Sequence, residues 1–201
     1  MSTQPTSAPR EATIVRSTRE TTIRCELALD RADAPSISTP IGFLTHMLES
    51  FAFHGKFSIK MECQGDIHVD DHHLVEDTAI VLGKAVLEAL GDRKGITRFG
   101  TGYAPMDESL VRAVIDISGR PHAEIAVPIP REMIGGVAAE NVAHFFRSFA
   151  ENAGITLHLD LIRGVNAHHI VEASFKAVAL ALRQAVSLSG STDIPSIKGA
   201  L

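Results

Sequence analysis

Apolar positions along the chain follow two spacings, and their order occurs twice. Val75, Ala79, Leu82, Val86 and Ala89 step by four, three, four and three, so they share one face of an α-helix. Val171, Phe175, Val178, Leu182 and Ala185 step identically. Leu44, Met47, Leu48, Phe51 and Ala52 predict a further helix, and Val142, Phe145, Phe146, Phe149 and Ala150 its counterpart. Between the two helices of each set the period falls to two. Phe57, Ile59, Met61 and Cys63 alternate with polar residues, as do Leu157, Leu159 and Leu161, and both segments predict half-buried strands. Upstream, Ile23, Cys25, Leu27 and Leu29 match Val111, Ala113, Ile115 and Ile117. One more strand is expected before each, around 13–18 and 99–106.

The chain therefore reads as two copies of β-β-α-β-α, spanning residues 11–93 and 97–189. Residues 1–10 read as a flexible tail and 190–201 as an extended C-terminal tail. Thr39 and Pro40 mark a helix start, with Thr39 as N-cap and Pro40 in the first helical position. The second copy carries a longer loop, Pro128 to Glu140, with Gly135-Gly136 inside it. A half of this length buries little surface alone. The expectation is one internally duplicated α+β unit, with helices packed on one face of each sheet.

Composition narrows the function classes. The 201 residues are 45% apolar and 21% charged, which is globular. No apolar run reaches the ~20 residues of a membrane span. The polar N-terminus lacks the basic and apolar regions of a secretory signal. A net charge of −5 without a basic block argues against a nucleic-acid partner. Cys25 and Cys63 make no disulfide framework and read as buried thiols in a reducing compartment. The outlier is histidine, with ten residues.

Six of the ten hold equivalent places in the two copies. Asp71-His72-His73-Leu74-Val75-Glu76 matches Ala167-His168-His169-Ile170-Val171-Glu172, and His46 matches His144 on the other helix pair. Positions three and four apart share a helix face, so both members of each His pair are expected near Glu76 or Glu172. One such motif is often only a solvated helix start. Two in register, each with a third His, point to a borderline or hard divalent ion. Eight donors divide into two sites of three His and one Glu, and the spacing leaves open which His serves which site. His54, His68, His122 and His158 have no His partner in the repeat and read as surface or core residues.

A substrate site belongs where the repeat is broken. Arg98, Arg120, Ser196 and Lys198 would together make a phosphate clamp. Glu20 is a candidate general acid or base.

The Asp-His-His-x-x-Glu-Asp run at 71–77, the Ala-His-His-x-x-Glu-Ala run at 167–173, Pro105-Met106-Asp107-Glu108, Asp116-Ile117-Ser118-Gly119-Arg120-Pro121 and the terminal Pro195-Ser196-x-Lys198-Gly199 resemble imidazoleglycerol-phosphate dehydratase. The resemblance covers nearly the whole chain beyond the N-terminal tail. It implies a fold like domain 2 of ribosomal protein S5, two Mn²⁺ per active site, and sites at subunit boundaries. It also implies a homo-oligomer of 24 chains built from trimers, and histidine biosynthesis in the cytoplasm. By position, it implies His46, His72, His73, Glu76, His144, His168, His169 and Glu172 as ligands. Glu20 and Glu172 become the acid/base residues, and Arg98, Arg120, Ser196 and Lys198 the phosphate holders. Two positions depart from the family: Thr45 stands where Asp is usual, and Ile197 where Thr is usual.

The implied reaction dehydrates D-erythro-1-(imidazol-4-yl)glycerol 3-phosphate to 3-(imidazol-4-yl)-2-oxopropyl phosphate. The proton lost is not beside a carbonyl, so simple base catalysis would be slow, and the imidazole ring can be the electron sink. A metal-bound imidazolate could expel hydroxide to a diazafulvene, whose C–H a carboxylate can then deprotonate. The main alternative is a dinuclear metallohydrolase of a phosphorylated metabolite, for which Asp-rich ligands are usual. A metal-storage protein would leave Glu20, Arg98, Arg120 and Lys198 without a role.

Overall fold

The alternating segments become strands of two four-stranded sheets in the computed structural model, which describes residues 9–199 and 201. The first half runs β1 (Glu11–Ser17), β2 (Thr21–Ala28), β3 (Ser36–Ser38), α1 (Gly42–Gly55), β4 (Ser58–Gly65) and α2 (His72–Leu90). The second runs β5 (Phe99–Met106), β6 (Ser109–Asp116), β7 (His122–Ala126), the short β8 (Met133–Ile134) and β9 (Val137–Ala138), α3 (Ala139–Ala153), β10 (Thr156–Arg163) and α4 (Ala167–Val186). Strand order is β1-β2-β4-β3 in one sheet and β5-β6-β10-β7 in the other. In both, three strands are antiparallel and the last edge strand is parallel to its neighbour.

Each half is thus β-β-β-α-β-α, one strand more than its hydrophobic period predicts. The extra strand is β3 in one half and β7 in the other. Ser36-Ile37-Ser38 contains one apolar residue, too few to show a period. β7 lies at an edge with His122 and Glu124 facing out, so its inward Ala123 and Ile125 are a weak signal. The expected long loop also holds the β8–β9 hairpin. Gly135 and Gly136, with φ of 57° and 86°, form the two-residue left-handed turn that closes it. Helix α1 starts at Gly42, after Thr39-Pro40. The Thr39 hydroxyl bonds both the N–H and the carbonyl of Ile41 and so shapes the turn before the helix instead of capping it. Of the expected N-terminal tail, residues 1–8 lie outside the described residues. Arg10 is anchored, pairing with Asp30 and donating to the Val186 carbonyl at 2.7 Å.

The predicted helical faces are buried. Val75, Ala79, Leu82, Val86 and Ala89 of α2 and Val171, Phe175, Val178, Leu182 and Ala185 of α4 all fall in the core. α2 lies on β1 and β2, and α4 on β5 and β6. α2 also packs on α3, and α1 on α4, so the helices of both halves meet between the sheets in one continuous core. This places residues from both halves side by side at the helix ends.

α4 approaches β5 closely because both surfaces are small. Ala173, Ala177, Ala181 and Ala185 line one side of α4, and Gly100 and Gly102 face them. A Cβ on Gly100 would stand 1.9 Å from the Ala181 carbonyl oxygen, and one on Gly102 2.2 Å from that of Ala177. Neither oxygen can rotate away. Gly100→Ala is therefore expected to cost about 3 kcal/mol of stability, read as a lower denaturant midpoint. An unchanged midpoint would show that α4 can lift off β5 freely.

Candidate metal centre and active site

The His pairs sit in the first turns of α2 and α4 because polar side chains hold those turns. The Asp70 carboxylate accepts from the His72 N–H at 2.9 Å, and the Asn166 side chain accepts from the N–H groups of His168 (2.9 Å) and His169 (3.4 Å). Neighbouring residues on a helix point about 100° apart, whereas i and i+4 align. His72 therefore shares a side with Glu76, and His168 with Glu172. His73 and His169 turn elsewhere, contrary to the expectation that both members of each pair lie beside the Glu.

Two clusters result, and each joins both halves of the chain. His46 of α1 meets His168 and Glu172 of α4, and His144 of α3 meets His72 and Glu76 of α2. Within each cluster, one donor atom from every residue lies within 4.8 Å of the others. His46 Nε2 and His168 Nε2 both stand 3.2 Å from Glu172 Oε2. His144 Nε2 stands 3.0 Å from Glu76 Oε1, and the His144 and His72 rings stack at 4.8 Å. His72 Nδ1 is 3.0 Å from Asn141 Oδ1.

The remaining pair of histidines is held by acids. His73 Nδ1 lies 3.2 and 3.3 Å from the two Asp66 oxygens, and its Nε2 lies 3.9 Å from Glu20 Oε1. His169 Nδ1 lies 2.7 Å from Glu108 Oε2, and its Nε2 lies 3.7 Å from Asp107. Asp66 raises the pKa of His73, and Glu108 raises that of His169. Glu108 is in turn lowered, first by His169 and then by the Asn166 N–H. A carboxylate on Nδ1 fixes the ring and leaves Nε2 to the outside, the usual support for a ligating imidazole.

Glu172 departs from the symmetry. Its side chain is only 9% exposed, and Lys176 Nζ sits 2.7 Å from Oε1. Burial pushes the carboxyl up, but the Lys176 bond and His46 outweigh it, so Glu172 is held ionised. Lys176 was not among the expected site residues. Its signal was the break in the repeat, since Ile80 holds the matching place beside Glu76. Asp66, Asn141 and Glu108 were also missed.

The expected phosphate holders gather at one end of the second sheet. Arg98 donates through Nε (2.7 Å) and Nη2 (3.1 Å) to the two Asp116 oxygens, and through Nη1 to the Pro195 carbonyl at 2.9 Å. The Gly95 N–H also holds the tail, through the Asp193 carbonyl, and Leu201 returns against Gly119 beside Arg120. The Ser196 hydroxyl accepts from the Lys198 N–H at 3.2 Å. Arg120 and Lys198 are exposed. No hydrogen bond or ion pair among the described residues joins this group to either His cluster. Thr45, before His46, bonds Thr39 through its hydroxyl and so braces the helix start, with no bond to His46. A cleft of ≈ 290 Å³ at the ends of β1, β2 and β4 contains none of these residues.

Comparison with known proteins identifies the family. The family model for imidazoleglycerol-phosphate dehydratase matches residues 39–182. The dehydratase of Phaffia rhodozyma is 52% identical over 197 residues, 96% of each chain. That of Caldanaerobacter subterraneus is 52% identical over 193 residues, 96% of this chain and all of its own. The crystal structure of the Staphylococcus aureus enzyme superposes with a TM-score of 0.80 at 42% identity, covering 89% of this chain and 99% of that one. The Pyrococcus furiosus structure gives 0.81 at 37% identity, covering 94% and 100%. Both copies of the His-His-x-x-Glu motif fall inside the matched region, and the relatives extend over the whole two-sheet fold. The chain belongs to the imidazoleglycerol-phosphate dehydratase family.

Proposed function

We propose that the two His clusters are metal half-sites serving the dehydration of D-erythro-1-(imidazol-4-yl)glycerol 3-phosphate to 3-(imidazol-4-yl)-2-oxopropyl phosphate. This is the family's reaction in histidine biosynthesis, and it makes the protein a hydro-lyase. It also sets aside the metallohydrolase alternative. The observation that carries the metal reading is the crossing of the halves, with three donors converging at each of two places from helices distant in sequence.

The donor set suits Mn²⁺, two per active site. Each cluster offers two imidazoles and one carboxylate, a mixed hard and borderline set without sulfur. Counting three His and one Glu per ion leaves one imidazole to find for each. His73 and His169 are the imidazoles left over, each with Nδ1 fixed by an acid. Within one chain neither joins a cluster, so we assign them to ions shared with neighbouring chains. Closed sites then require a homo-oligomer, in this reading 24 chains built from trimers. No helix among the described residues is long and apolar enough to cross a membrane. From the family's place in histidine biosynthesis we place the enzyme in the cytoplasm.

When bound, the ions supply Lewis acidity at the substrate's ring nitrogens. The chain supplies proton transfer and positioning. Glu20 has an exposed carboxylate with no hydrogen bond among the described residues, so Oε1 is free to take the proton from the carbon bearing the second hydroxyl. Glu172, held ionised by Lys176, serves as ligand and as the second acid/base group. Arg98, Arg120, Ser196 and Lys198 hold the phosphate, away from the bonds that break. The reading is tested by assaying ketone formation in metal-stripped protein before and after Mn²⁺ is restored. It requires loss and recovery. Turnover that survives verified stripping would refute it.

A phosphate contact acts equally in ground and transition states. Lys198→Ala is accordingly expected to raise KM about tenfold with kcat little changed. A fall in kcat at constant KM would assign the tail to closing the site.

A further inference from the structure

We infer that Asp77 is a positioning residue, holding the β1–β2 turn against α2 so that the Glu20 carboxylate stays free. The inference rests on the proton-transfer reading of Glu20 given above. Asp77 is buried, 4% exposed, one residue after Glu76 in α2. Its Oδ1 accepts from Arg16 Nε at 2.7 Å and its Oδ2 from the Thr21 hydroxyl. Arg16 and Thr21 stand on the two strands that flank the turn. Inside the turn, the Thr18 hydroxyl accepts from the N–H groups of Glu20 (3.1 Å) and Thr21 (2.9 Å), and the Glu20 carbonyl accepts from the Asp66 N–H at 3.1 Å. Both backbone polar groups of Glu20 are therefore hydrogen-bonded, while among the described residues its carboxylate has only His73 Nε2, at 3.9 Å.

The second half shows what happens without this anchor. Ala173 stands in the place of Asp77, Ala104 in that of Arg16, and Ser109 in that of Thr21. There the turn carboxylate does the anchoring itself. Glu108 accepts from the N–H groups of Asn166 (2.8 Å) and Val165 (3.2 Å) and from the Ser109 hydroxyl (2.9 Å), and also binds His169. A carboxylate so occupied is not available to a substrate. In the first half the ion pair of Asp77 takes over the structural duty, and the Ser109-like hydroxyl of Thr21 bonds Asp77 in place of the turn acid. One of the two duplicated turns thereby yields a free carboxylate, and the other a rigid brace for a histidine.

Substitution at Thr21 separates this role from simple packing. Thr21→Val keeps the shape and loses the hydroxyl, whereas Thr21→Ser keeps the hydroxyl and loses the methyl. In the Mn²⁺-loaded enzyme, Thr21→Val is expected to lower kcat about tenfold, with KM within about twofold and metal content unchanged. Thr21→Ser is expected to stay within about twofold of the parent. Asp77→Asn should follow Thr21→Val, and adding Thr21→Val to Glu20→Gln should cost little more, since both act through one group. The reverse order, with Thr21→Ser impaired and Thr21→Val normal, would assign the buried Thr21 to core packing and overturn the inference. If Glu20→Gln is inactive while Thr21→Val turns over normally, positioning alone is refuted. If Glu20→Gln itself turns over normally, the proton-transfer reading falls, and this inference with it.

Discussion

Glu20→Gln is expected to lower kcat by about 10³-fold, the range of a lost general acid–base group, while metal content and thermal stability stay at parent values. The amide keeps the size of the side chain and cannot take a proton. Its neighbours explain why nothing else should change. The backbone of residue 20 is held by Thr18 and by the Asp66 N–H, and the carboxylate itself makes no hydrogen bond among the described residues. His73, whose Nε2 lies 3.9 Å from Glu20 Oε1, keeps its bond to Asp66. A variant with near-parent turnover would remove Glu20 from the chemistry and leave Glu172 as the only carboxylate of the site in an acid/base role.

Chelation or mild acid is expected to break the assembly into smaller units, and Mn²⁺ at neutral pH to restore it. An ion bound across a chain boundary favours the assembled state by mass action. Coordination needs the neutral imidazole, so protonation competes with the metal. The direction follows from the acids behind the rings. Asp66 and Glu108 raise His73 and His169, the two imidazoles assigned to neighbouring chains, above the ordinary ~6.5. As pH falls, protonation of these two rings competes with the bound ion, so the chains are expected to separate as the pH is lowered. Light scattering with and without chelator reads this directly. Full-size particles after verified metal loss would mean that apolar contacts alone hold the chains together.

The helices and inner strands were legible because each buries one face. Val75, Ala79, Leu82, Val86 and Ala89 carry the helical period, and Leu157 and Leu159 the strand period, and all lie in the core. β3 and β7 escaped because an edge strand needs few apolar residues, and Ser36-Ile37-Ser38 has one. The His and Glu residues of the two clusters were legible through duplication, which repeats the His-His-x-x-Glu run while its surroundings differ. Their grouping was not. Which histidine meets which glutamate depends on α1 crossing to α4 and α3 to α2, contacts between residues about 70 to 130 positions apart that no local spacing encodes. The supporting groups were hidden for the opposite reason. Lys176, Asp77 and Asp66 serve one half each, so a search for what the halves share passes over them.

Metal content and turnover, followed together as stripped protein is titrated with Mn²⁺, test the central claim most directly. The account predicts two ions bound per chain, one for each cluster, with dehydration of the imidazole substrate rising as the ions fill. His46→Ala and His144→Ala should each remove one of the two ions and nearly all turnover. Full turnover at negligible bound metal, or two ions still bound after either substitution, would contradict it.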